Sequence, residues 1–250
     1  MGLFDFLKKK APEEKIEKVI EKADMLGQIT FAEYKERVED EEYAPGWQAI
    51  DEVFGALYPG QEPSHLGTLL TSRAIFGGTE YLDGYLIYQS DKGYYHIVTY
   101  GVSQLYADAE RYGETYSKWG YEMTFKLKAD SVEECHFAMN MLGNLARYTF
   151  TSDKYFSDNE YVLGDGSPIK QGADSKIASL LITQDTELPT LNTVHGEVQF
   201  LQLIGITYED GLEIKESGGG YECVKQLLSL IKQDNPDLVT DLASEKTYMN

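Results

Sequence analysis

Two cysteines in 250 residues, Cys135 and Cys223, are too few and too far apart for a disulfide framework, and they point to a reducing, cytoplasmic setting. Positive charge is scarce too. Twenty-two Lys and Arg stand against 42 Asp and Glu, and the resulting −20 would repel a nucleic-acid backbone and an anionic membrane surface alike. Nucleic acid is therefore not expected as a direct ligand. No apolar run approaches the ~20 residues of a membrane-crossing helix. The opening MGLFDFLKKK places its apolar residues before its lysines, the reverse of a secretory leader. Phe6 occupies the position where a myristoylation signal needs Ser or Thr. A short anchor touching a membrane or partner and a frayed end both fit that stretch.

Catalytic and metal-binding patterns are equally sparse. His65, His96, His136 and His195 include no helical i, i+4 pair, and HExxH, CxxC and EF-hand spacings are missing, so no metal or cofactor is expected. GxSxG and Walker sequences are missing as well, and Gly218–Gly220 lacks the Lys-Ser/Thr of a phosphate loop. Cys135 and His136 are adjacent on an expected helix, where neighbours point about 100° apart and do not face each other. One enzyme hypothesis survives, a hydrolase using His96 or Cys135 with nearby carboxylates.

What is present argues for a globular protein: 42% hydrophobic residues, 12% aromatic, and 19 tyrosines. Residues 1–44 read as a helical hairpin appendage. Ile16, Val19, Ile20 and Ala23 form one stripe, and Thr30 with Glu33 is a capping box opening a second helix that carries Phe31, Tyr34 and Val38. Residues 45–250 read as one α+β domain. A helix carrying Trp47, Ile50, Phe54 and Leu57 stops at Pro59. Strands are expected over Leu66–Phe76, Leu82–Tyr88, Tyr95–Tyr100 and Tyr121–Lys128. In the last, Tyr121, Met123, Phe125 and Leu127 face the core while Glu122, Thr124, Lys126 and Lys128 face water. Ser131 and Glu134 predict a second capping box, opening a helix that buries Phe137, Met141, Leu142 and Leu145. A polar loop follows from Ser152 to Asp174, then central strands over Ile177–Thr183 and Val198–Thr207. A final helix over Tyr221–Ile231 buries Val224, Leu227, Leu228 and Ile231. The expected whole is a single, mostly antiparallel mixed sheet with helices packed on it.

Ten tyrosines between Tyr81 and Tyr121 suggest either a binding surface, because Tyr combines stiff contact area with a hydrogen-bonding tip, or ordinary strand composition. The acidic excess fits a cationic protein partner or plain solubility.

Six blocks in register resemble the Suppressor of fused (SUFU) family. They are PGWQAIDEVFGALYP (45–59), GGTEYLDGYLIY (77–88), YHIVTYGVSQLYAD (95–108), GYEMTFKLK (120–128), LARYTFTSDKYF (145–156) and SLLITQDTELPTLNTVHGEVQFLQLIGIT (179–207). The resemblance implies a non-enzymatic protein binder. Animal members hold zinc-finger transcription factors of the Hedgehog pathway, using a second domain to clamp an extended peptide. This chain ends at Asn250, so that second domain is not expected. In size it is more similar to stand-alone bacterial SUFU-like domains, a group proposed to act as immunity proteins, and a basic toxin domain would suit its charge. The animal peptide-facing surface includes the segment matching GVSQLYAD, which makes Tyr106, Asp108 and Gln104 the partner-facing candidates. Ala107 replaces a Gly of the animal pattern and Gln104 an Asp. A general scaffold or regulatory binder is the remaining alternative.

Overall fold

A computed structural model describes residues 29–40, 42–67 and 82–249. The first helix of the expected hairpin, Tyr81, and most of the expected strand Leu66–Phe76 lie outside the described residues. Among the described residues, helices α1 (Phe31–Arg37), α2 (Pro45–Leu57), α3 (His136–Ser152), α4 (Tyr208–Glu216) and α5 (Tyr221–Ile231) accompany eight strands. These are β1 (Ser64–Gly67), β2 (Gly84–Gln89), β3 (Tyr95–Tyr100), β4 (Tyr116–Leu127), β5 (Glu160–Val162), β6 (Ile177–Gln184), β7 (Leu191–Thr193) and β8 (Gly196–Thr207). The architecture is α+β, as the sequence pattern predicts. The chain divides into two compact units, one of Met1–Glu62, Tyr100–Glu122 and Glu187–Phe200, the other of Pro63–Thr99, Met123–Thr186 and Leu201–Asn250.

The first unit holds α1, α2, the start of β4 and the β7–β8 hairpin, where Leu191 pairs with Val198. Thr30 and Glu33 cap α1 reciprocally, with the Thr30 amide 2.9 Å from the Glu33 carboxylate. Pro45 occupies the first turn of α2, where a missing N–H costs nothing. Ile50, Val53, Phe54 and Leu57 bury one face of α2, and Phe54 meets Phe200 edge to face at 5.7 Å.

In the second unit the strands run in the order β1-β2-β3-β4-β8-β6-β5, with β4 and β8 entering by their last residues. The registers His96↔Lys126 and Leu181↔Ile204 fix the antiparallel pairs β3–β4 and β6–β8. Leu181 and Ile204 pack with Ile214, Val224, Leu227 and Ile231 beneath α4 and α5. Gly143 of α3 is needed by its neighbour: a Cβ there would lie 2.7 Å from the Tyr85 hydroxyl, which donates to the Met139 carbonyl at 2.9 Å.

Four expectations are corrected. The face of β4 expected in water is buried: Glu122, Thr124 and Lys126 are each fully enclosed, because each has a specific polar partner. The Ser131–Glu134 box does not form. Residues 132–135 make a 3-10 turn and α3 starts at His136, with Glu134 accepting instead from the Asp130 amide. The polar loop contains the three-residue edge strand β5. Finally, α3 buries Ala138, Leu142, Ala146 and Thr149, leaving Phe137, Met141 and Leu145 only half-buried.

Candidate functional site

The segment Gly101–Asp108 leaves β3 and is anchored residue by residue within the first unit. Glu122 reaches under it. Its carboxylate accepts from the Gly101 amide (2.9 Å), the Val102 amide (3.4 Å), the Ser103 amide (2.9 Å) and the Ser103 hydroxyl (2.7 Å). Consecutive amides curled round one anion form a nest, which offsets the cost of burying a charge. Gly101, at φ 118°, adopts a backbone that side-chain-bearing residues avoid.

The next residues are held by backbone and ring contacts. The Gly46 amide at the start of α2 donates to the Leu105 carbonyl at 2.9 Å. The approach is so close that a Cβ on Gly46 would lie 2.0 Å from the Gln104 carbonyl oxygen. Gly46→Ala is therefore expected to cost about 1–3 kcal/mol by overpacking, measurable as a shifted urea midpoint, while the exposed Gly55→Ala is neutral or stabilising.

His195, in the β7–β8 turn, and Tyr34, on α1, complete the support. The Tyr34 hydroxyl accepts from the Asp108 amide at 2.6 Å and lies 2.8 Å from His195 Nε2, while His195 Nδ1 is 3.1 Å from the Gln104 carbonyl. A carbonyl only accepts, so Nδ1 carries the proton and Nε2 receives the Tyr34 proton. Burial lowers the His195 pKa, favouring the neutral ring that this chain of bonds requires. Tyr34, Tyr43 and Val194 form a small buried cluster against which Ala107 packs its methyl group.

These contacts place the sequence candidates unequally. Tyr106 is 46% exposed, its ring outside the supported backbone. Gln104 and Asp108 are half-buried and partly occupied: Gln104 donates to the Tyr106 carbonyl at 2.9 Å, and Asp108 caps the Ala109–Arg111 3-10 turn through the Glu110 amide at 3.0 Å. Of the two readings of the tyrosines between Tyr81 and Tyr121, ordinary strand and core composition accounts for most. Tyr85, Tyr88, Tyr94, Tyr95, Tyr100 and Tyr121 are buried, leaving Tyr106 and Tyr116 exposed. Tyr34 and His195 were not singled out as site residues from sequence. The Thr30 capping box placed Tyr34 on a helix, and its partners lie 74 and 161 residues away.

The two enzyme candidates lie elsewhere, in the second unit. His96 is buried with Nε2 at 3.0 Å from Asp185, which also meets Lys126 at 3.2 Å and the Thr124 hydroxyl at 2.6 Å. Burial alone would raise the Asp185 carboxyl, but the Lys126 ammonium and His96 ring hold it well below the usual carboxylate range. Cys135 is buried, and burial pushes its thiol up to about 12, far from the thiolate a nucleophile needs at neutral pH. Among the described residues no helix is long and apolar enough to cross a membrane, and no group of three or more His, Cys, Asp or Glu could hold a metal ion.

Comparisons with known proteins bear on the family and the fold. A family model described as Suppressor of fused protein (SUFU) matches residues 78–243. The human Suppressor of fused homolog is 28% identical over 215 residues, covering 81% of this chain and 44% of the human protein, so the chain spans less than half of that relative. A chain of the Sufu–Fu complex crystal structure superposes with a TM-score of 0.68 at 24% identity, covering 83% of this chain and 93% of that one. A SUFU homologue from Neisseria gonorrhoeae gives a TM-score of 0.52 at 14% identity, covering 78% and 92%.

Proposed function

The chain belongs to the Suppressor of fused family, and from that membership we propose that it is a non-catalytic protein-binding domain whose contact residue is Tyr106, flanked by Gln104 and Asp108. The observation that carries the reading is the contrast at residues 101–108: a backbone fixed by Glu122, His195, Tyr34 and Gly46 presents one large, exposed aromatic ring. Pre-ordering a contact loop removes an entropy cost from association. The Sufu–Fu complex shows a structural neighbour engaged with another protein.

The charge names the partner's chemistry. The described residues of the first unit include 14 acidic and 4 basic side chains, a net −10 over 70 residues, half the charge of the whole chain. A cationic protein surface would be steered toward it. An immunity role in the cytoplasm, neutralising a basic toxin domain by direct binding, is the specific form of this reading.

Co-expression with the protein encoded beside it tests the role, since neither a complex nor protection of growth would sink the immunity reading. Tyr106→Ala tests the surface. It is expected to weaken partner binding by more than ~1 kcal/mol, about fivefold or more, with an unchanged melting temperature. Equal affinity for the variant and the native protein would move the contact elsewhere.

A further inference from the structure

The second unit contains a cleft of about 620 Å³ that the partner-binding reading does not use. One wall is the half-buried face of α3, where Phe137, Met141 and Leu145 recur at helical spacing beside the fully buried stripe. The opposite wall is Ile169 and the β5–β6 edge at Leu180, so the floor is apolar. This is why the sequence pattern assigned Phe137, Met141 and Leu145 to the core: they are apolar and periodic, yet they border the cleft, Phe137 while also meeting Phe125 of β4 edge to face at 6.3 Å. The volume falls within the range of about 300–1,000 Å³ typical of small-ligand sites.

The rim is chemically distinct from the rest of the molecule. None of the described lining residues is acidic, although 42 of the 250 residues are Asp or Glu. Among the described residues, the only charge on the lining is Lys170, whose ammonium lies 5.8 Å from the Phe137 ring centroid and which joins no ion pair there. Asn140, Asn144 and Gln171, each with a carboxamide side chain, also line the cleft. An apolar floor with one cation and neutral N–H donors at its edge matches a molecule with an apolar body and a single anionic head.

We propose that this cleft binds a small amphipathic carboxylic acid, its hydrocarbon chain along Phe137, Met141 and Leu145 and its carboxylate on Lys170. Isothermal titration of the full chain with octanoate, and with 1-octanol as the uncharged control, tests it. Octanoate should bind saturably with Kd below about 1 mM. Lys170→Gln should weaken octanoate at least fivefold and leave octanol unchanged, because only the head contact is lost. Leu145→Trp, which fills the cleft, should abolish both, with circular dichroism confirming the native fold. Absence of saturable octanoate binding overturns the proposal, as does octanoate binding unaffected by Lys170→Gln or by Leu145→Trp. Tyr106→Ala should bind octanoate normally, which keeps this result independent of the partner surface.

Discussion

Glu122→Ala should lower the unfolding free energy by about 3–5 kcal/mol, because it leaves several buried donors without an acceptor at once. The carboxylate accepts from the Gly101, Val102 and Ser103 amides and from the Ser103 hydroxyl, all buried. Deleting it removes one anion and leaves four buried donors without this acceptor. Glu122→Gln should fall between the two, since it keeps one acceptor oxygen but turns an NH₂ group toward other donors. Urea unfolding with linear extrapolation measures the loss. A value for the alanine variant within about 1 kcal/mol of the native protein would mean that the loop does not depend on this nest. Where Glu122→Gln remains folded, it should also weaken partner binding, because the backbone carrying Tyr106 loses its rigid support.

Much of this fold was legible, and for a simple reason: β6, β8, α2 and α5 bury long apolar patterns whose period matches their geometry. The candidate loop was legible only as a family landmark, since what fixes it is a carboxylate about twenty residues downstream and two rings from distant elements. Alternation in GYEMTFKLK was real, but alternation reports chemistry and not exposure. Glu122 and Lys126 are polar because they serve buried partners, which a period of two does not distinguish from a water-facing edge. The same limit applies to the tyrosines. Their abundance fitted a surface and ordinary strand composition equally, and six of them lie in the core, where the Tyr85 hydroxyl donates to the Met139 carbonyl and the Tyr100 hydroxyl to Asp51.

Asp185→Ala is the other large effect, about 3–5 kcal/mol at neutral pH, because it removes the fully buried carboxylate on which the Lys126 ammonium, the His96 ring and the Thr124 hydroxyl converge. The Thr186 hydroxyl accepts from Lys126 at 2.6 Å, but a neutral acceptor does not replace the lost carboxylate. The double variant Asp185→Ala/Lys126→Met removes both charges and should recover part of the loss, so the cycle isolates the pair from the cavity it leaves. Dependence on pH gives an independent signature. The Asp185 carboxyl is depressed in the folded protein, so its contribution is present above its unfolded value of ~3.9 and is lost as pH falls from there toward the lower folded value. Native protein should therefore lose stability steeply below about pH 4, and Asp185→Asn should lack that part of the slope. Parallel profiles for the two proteins would show that Asp185 is not held ionised by Lys126 and His96. Retention of nearly all native stability by Asp185→Ala would show that the buried cluster does not organise the face of β4 on which it sits.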